Sequence, residues 1–238
     1  MTGSLEPHSI EKRLVAVGLF AYFLLSLILA LNSSGTYDAG DSVMHYQIAH
    51  YAFQHPEHLL SHWGKPSFTL VAAPFAVSRF WGMKLFQCLL ALGTGWITYQ
   101  CARQLGFKWA WLAPILVLAA PEYFVSQLSG LTEPFFAFVL ILGAFWLLRG
   151  QMIAASILLS MLPFVRTEGF LLLPIFGLYI SWQRQWKALP FLALGTVLYA
   201  VLGGLFLGDF LWIWNENPYA GKSLNYGVGE WLHFPEKY

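Results

Sequence analysis

The chain has 238 residues, of which 58% are hydrophobic and 11% charged, and its mean hydropathy is +0.58. Soluble domains carry about a quarter charged residues, so the composition excludes a chain whose only solvent is water. A net charge of +1 gives no electrostatic footing for nucleic acid as a partner.

The N-terminus, MTGSLEPHSIEKRLVAVGLF, leads into an apolar run from Leu14 to Leu31 with no A-x-A-like site after it. That run is longer than a signal core and reads as an uncleaved signal anchor. In all, seven apolar segments are expected to cross a membrane, at about 14–32, 83–102, 109–128, 134–148, 152–165, 170–183 and 188–208. Several are shorter than the roughly 20 residues of a straight span. Short spans meeting at polar residues often mark sites inside membrane proteins. The expected architecture is all-α: a polytopic bundle filling residues 1–210, with a first extracytoplasmic loop at 33–82. Residues 211–238 form a following extracytoplasmic loop or the start of a C-terminal region. Aromatics reach 18%, and many of the 11 tryptophans fall near the ends of apolar runs, as in an interfacial belt.

The first loop is chemically dense. Between Tyr37 and Ser67 it holds Asp38, Asp41 and five of the seven histidines. Within it, DSVMHYQIAHYAFQ has a helical pattern, with Met44, Ile48, Tyr51 and Ala52 on one stripe. Such a helix would lie on the membrane surface, apolar side down. Asp41 after Gly40 suits an N-cap. The plain structural reading of the two acids is therefore a turn aspartate and a cap. The functional one is a carboxylate that takes a proton from a hydroxyl, with the other holding a second hydroxyl or a divalent cation such as magnesium or manganese. His55, His58 and His62 have spacings that suit a metal, but no cysteine accompanies them. His62 beside Trp63 reads better as a substrate contact. Lys65, in HWGKPSF, is a phosphate contact or a snorkelling lysine. Asn32 opens a formal glycosylation sequon, NSS, hard against the first span.

Residues 67–80, SFTLVAAPFAVSRF, either span or lie in the interface. Lys and Arg divide seven against six in both cases, so the positive-inside rule does not decide. If 67–80 does not cross, every acid after Glu11 falls on one side and the acids can meet. That arrangement is preferred. Segment 109–128 carries Pro114, Pro121 and Glu122, so a kink or early end is expected there. Cys88 and Cys101, if on one helix, lie roughly 20 Å apart and cannot pair.

Glu133, in SGLTEPFF, is either a helix-start acid favoured by the dipole or a functional acid at a membrane boundary. Arg166 and Glu168, in PFVRTEGFLLLP, interrupt an otherwise continuous apolar stretch. They pair with each other or neighbours, or Arg166 offers its planar fork to a phosphate or carboxylate. Near the C-terminus, YGVG at Tyr226–Gly229 lacks the strand–turn–helix setting of a nucleotide fingerprint.

Four stretches in order, YDAGDSVMHY, HWGKPSF, SGLTEPFF and FVRTEGFLLLP, resemble the motifs of the GT-C superfamily of integral membrane glycosyltransferases. Thr167 stands where that family usually has proline, and the resemblance covers about residues 14–235. It implies a seven-span module with surface helices in the first loop, in the bacterial inner membrane or the endoplasmic reticulum. It implies a sugar, mannose among the candidates, carried on a polyprenyl or dolichyl phosphate. The sugar would pass, with inversion and on the non-cytoplasmic face, to a glycan, lipid or protein acceptor. Asp38 or Asp41 would be the base or a metal ligand, Lys65 and Arg166 would neutralise the lipid phosphate, and Glu133 and Glu168 would orient substrate or base. Members continue with further spans and a distal domain, so residues beyond 210 would begin another region. A flippase or transporter for lipid-linked sugars, and a non-catalytic membrane scaffold, are the competing readings. A transporter would favour internal symmetry, and the sequence shows none.

Overall fold

A computed structural model describes residues 7–216, which form eleven α-helices and three 3₁₀ segments, with no strand among the described residues. The expectations for 217–238, including Tyr226–Gly229, lie outside them.

α1 (Pro7–Asn32) and α4 (Arg79–Gln104) are the two longest helices, each 26 residues. At 1.5 Å per residue each is about 39 Å long. They lie antiparallel. At one end the buried Lys84 ammonium donates to the Ala30 and Ser33 carbonyls (3.0 and 2.6 Å), covering acceptors that the end of α1 leaves open. At the other end Arg103 approaches Glu11 at 4.0 Å.

Between them in sequence lie α2 (Asp41–Tyr51), a 3₁₀ segment (Pro56–Leu60) and α3 (Pro66–Ala76). Eleven residues of α3 reach about 16 Å, half of a bilayer core of roughly 30 Å, so α3 cannot cross alone. It bends 119° from α4 and buries Phe68, Ala72, Ala73 and Ala76. Phe68, Phe86 and Phe135 make one aromatic cluster, with ring centroids 6.0–6.2 Å apart.

The expected break in 109–128 is present: α5 (Leu112–Leu118) stops and α6 (Pro121–Ser126) restarts on its proline. There follow α7 (Glu133–Leu148), α8 (Met152–Leu159), α9 (Gly169–Trp182), α10 (Leu194–Phe206) and α11 (Trp212–Asn215). Two stretches, Ile10–Asn32 and Trp186–Phe206, are long and apolar enough to cross a membrane, and α3 with α4 makes a third if the bent pair counts as one. Glu133–Leu148, Met152–Phe164 and Gly169–Trp182 are apolar but shorter. The outer faces of α1, α9 and α10 expose Leu14, Phe20, Ile28, Leu171, Leu178, Leu205 and Phe206, a surface suited to lipid rather than water. Cys88 and Cys101 are buried, unpaired and both on α4.

Candidate functional site

The start of α2 is built differently from the sequence expectation. Gly40, at φ 117°, is the N-cap, and Asp41 is the first helical residue. The left-handed backbone at that point favours glycine. Asp38 supplies the capping carboxylate: its Oδ2 accepts from the Ser42 amide at 2.9 Å and the Gly40 amide at 3.2 Å. Partial burial opposes its charge, but hydrogen bonds from Thr36 and Ser42 hold its carboxyl below the usual range. Asp38 is therefore occupied in holding the loop, while Asp41 stands exposed.

The face of α2 turned to the protein is Ser42, His45 and Ala49, with Ala52 just beyond; Met44 and Tyr51, from the expected apolar stripe, are exposed. Small residues let α2 approach its neighbours closely, and that packing decides which stripe is buried. His50 Nδ1–H donates to the Ala76 carbonyl at 2.7 Å, tying α2 to the end of α3.

Ser42 makes the central link. Its hydroxyl accepts from the Gly130 amide at 3.0 Å, and a Cβ on Gly130 would stand 2.7 Å from the Ser42 carbonyl oxygen. This close approach brings the start of α2 beside the start of α7. Asp41 and Glu133 consequently line one cavity of about 150 Å³, together with His45, Trp63, Lys65, Leu131, Thr132, Arg166, Thr167 and Glu168.

Arg166 spans the acidic wall of that cavity. Nη1 pairs with Glu133 Oε1, Nη2 with Glu168 Oε1 at 2.6 Å, and Nη1 also reaches the Thr132 hydroxyl at 3.4 Å. Partial burial works against the guanidinium charge, but Glu168 and Glu133 outweigh it and hold the Arg166 pKa above its ordinary value. Glu168, also partly buried, is nonetheless held low by Arg166. The other Glu133 oxygen, Oε2, is screened from solvent and has no hydrogen-bond partner. Lys65 is buried, and burial draws its ammonium below the usual lysine value, with Glu168 opposing and Arg166 adding to the effect. Its backbone is in the left-handed region at φ 61°, sparsely populated for a residue with a side chain. Pro66, opening α3, follows it directly.

Five of the expected site residues thus meet: Asp41, Lys65, Glu133, Arg166 and Glu168. Asp38 and His62 do not line the cavity. His62 Nε2–H donates to the Ile213 carbonyl at 2.9 Å, and its ring meets Trp212 edge-on, so it joins the first loop to α11. His55 and His58 remain near each other, with His55 against Glu57 at 3.3 Å. Among the described residues no three His, Cys, Asp or Glu converge to hold a metal ion, and neither the histidine triplet nor Asp41 belongs to such a group.

His45 and Thr132 are cavity residues that the sequence reading did not single out. His45 follows Asp41 by four residues, one helical turn on the same face, and that spacing was the available signal. No known family, curated protein or solved structure matches the chain.

Proposed function

We propose that the protein is a membrane glycosyltransferase that moves a sugar from a polyprenyl- or dolichyl-phosphate carrier to a hydroxyl acceptor at the membrane edge, with inversion. One observation carries the reading: three carboxylates and two cations from four separate parts of the chain share one cavity. Lys65 is buried and Arg166 partly so, and withdrawing such charge from water at the end of an apolar bundle is costly, so groups of this kind tend to be functional. An inverting displacement needs a group to take the proton of the entering hydroxyl, and positive charge where the departing phosphate develops its own. Asp41 and Glu133 supply the first wall. Lys65 and Arg166 supply the second. A lipid leaving group arrives from the bilayer and a polar acceptor from water, so a site at the boundary serves both.

In this reading the seven apolar segments all traverse the bilayer and the cavity lies on the non-cytoplasmic face. The short α7, α8 and α9 suit it, since helices that end early leave room for a polar site between them. The sugar, mannose or another hexose, and the acceptor class follow the same reading.

A structural alternative draws on the ion pairs themselves: Arg166 satisfied by Glu133 and Glu168 is also what a packing cluster would contain. Release of lipid phosphate from polyprenyl-phosphate-mannose and polyprenyl-phosphate-glucose, by the purified protein in phosphatidylcholine vesicles, separates the two. The transferase reading expects turnover that Asp41→Asn and Glu133→Gln each reduce by about 10²-fold or more. Turnover of neither donor, or undiminished turnover by both variants, sinks it.

A further inference from the structure

His45 is 7% exposed, lines the cavity, and follows Asp41 by one turn of the same helix. Its Nδ1 is shielded from solvent and has no hydrogen-bond partner. The Phe68 ring, 5.7 Å away between centroids, backs it. A neutral imidazole carries a lone pair on one of its two nitrogens. Glu133 Oε2, lining the same cavity, is a second acceptor without a donor.

We propose that His45 is the proton acceptor for the entering hydroxyl, and that Asp41 and Glu133 stabilise the imidazolium it becomes. The proposal rests on the transferase reading and changes the identity of the base within it. In the step, the hydroxyl oxygen forms a bond to the anomeric carbon as the bond from that carbon to the phosphate oxygen breaks. The electron pair of the broken bond leaves with the lipid phosphate, facing Lys65 and Arg166. The hydroxyl proton passes to the His45 imidazole. The ring gains one positive charge, and the carrier leaves with one more negative charge than it brought.

The surroundings fit that cycle. Burial disfavours the charged ring and holds the His45 pKa below the usual imidazole value, with Lys65 adding to the effect. Asp41 on its own helix, Glu133 on α7 and the Gly130 backbone act in the opposite sense. Arg166 and Glu168 face the same cavity as a pair. The resting ring is thus neutral at physiological pH and free to take a proton, while two carboxylates wait to balance the cation.

The test uses the full chain in phosphatidylcholine vesicles with polyprenyl-phosphate-mannose and polyprenyl-phosphate-glucose, comparing wild type, His45→Gln, His45→Ala and Asp41→Ala across pH. Glutamine keeps a hydrogen-bonding side chain of similar reach and guards against loss of the fold. The expected result is a kcat lower by about 10²–10⁴-fold in His45→Gln. The acidic limb of the wild-type profile, centred below the usual imidazole value, disappears with it. Added imidazole restores turnover to His45→Ala and not to Asp41→Ala. Wild-type turnover with an unaltered rate in His45→Gln overturns the proposal and leaves the transferase standing. Loss of rate with the acidic limb retained and no rescue by imidazole makes His45 structural and also overturns it. No wild-type turnover of either donor removes the transferase reading, and this proposal with it.

Discussion

The Gly130 amide donates to the Ser42 hydroxyl at 3.0 Å, joining positions 88 apart in the chain. Without that contact Asp41 and Glu133 would have no reason to share a cavity, since one opens α2 and the other α7. The joint has no room for a side chain at Gly130, because a Cβ there would press on the Ser42 backbone. Gly130→Ala is therefore expected to destabilise the protein by about 1–3 kcal/mol through overpacking, and to move α2 away from α7. Thermal unfolding in detergent checks the first effect. Wild-type stability in Gly130→Ala contradicts the tight joint.

Much of the cavity was legible in the sequence because charge is rare in an apolar chain. Arg166, Glu168, Glu133 and Lys65 stand out against their surroundings, and groups that cannot face lipid must find one another. For α3, length and Pro74 leave a span and an interfacial helix both open, and the 119° bend to α4 is set by packing that the sequence does not display. What escaped was decided by local backbone and packing. Both Asp38 and Asp41 suit a helix start, and only the left-handed turn at Gly40 makes the first the cap and the second the cavity residue. His62 was drawn to an Ile213 carbonyl 151 residues away, a contact that no spacing rule foretells. His45 was hidden because α2 buries Ser42, His45 and Ala49, a stripe with no large apolar residue. Small side chains permitting close approach outweighed the larger apolar ones.

Arg166 grips two glutamates with separate nitrogens of one fork, a geometry that lysine cannot reproduce from a single ammonium. Hydrogen bonds to charged groups contribute about 1.5–3 kcal/mol when buried. Glu133 and Glu168 are 41% and 54% exposed, so solvent screening reduces that figure. Arg166→Lys is expected to lower stability by about 1 kcal/mol and Arg166→Met by more, since methionine leaves two carboxylates facing each other. Adding Glu133→Gln to Arg166→Met should recover part of the loss. A double-mutant cycle by chemical denaturation reads the coupling, and strictly additive effects would contradict the clamp.

The pH dependence of stability follows from the histidines of the first loop. Burial holds both His45 and His62 below the ordinary imidazole value, and Lys65 adds to it in each, while Asp41 and Glu133 oppose it at His45 and the Ile213 carbonyl opposes it at His62. Between that lowered value and about 6.5 the unfolded chain binds protons that the folded one refuses. Stability is thus fully present above about pH 6.5 and declines as the pH falls toward the folded values. At still lower pH, Asp38 and Glu168, both held below the ordinary carboxylate value, contribute in the same direction: their share is present above about pH 4 and is lost as the pH drops through their folded pKa. Melting temperatures in detergent should fall steadily from about pH 7 to about pH 5. The fall should be shallower when His45 and His62 are both glutamine. A flat wild-type curve across that interval contradicts the assignment.

The two ends of the bundle carry different chemistry, which makes the orientation measurable. Lys84 holds the end of α1 beside the start of α4, and Glu11 meets Arg103 at the opposite end. α7 runs alongside α4 in the same direction: Gln87 donates to the Leu131 carbonyl near both starts, and Cys101 comes to 4.0 Å from the Ile141 carbonyl further along both. The end of α7, with Arg149 exposed, therefore lies with Arg103 and the exposed Lys108, away from the cavity. Glu57, exposed in the first loop, belongs to the cavity end. Single cysteines at 108, 149 and 57, in sealed vesicles, should divide under a membrane-impermeant thiol reagent. Positions 108 and 149 should react from one side and 57 from the other. Cys88 and Cys101, 1% and 7% exposed, should stay silent and give a clean background. Exposed tryptophans give a second check: Trp109, Trp111, Trp182 and Trp186 cluster in sequence around the turns at the arginine-rich end, whereas Trp81 and Trp214 flank the other. Labelling of 108 and 57 from the same side would mean that α3 and α4 together do not make a single crossing, and the acids would then lose the shared boundary position on which their proposed chemistry depends.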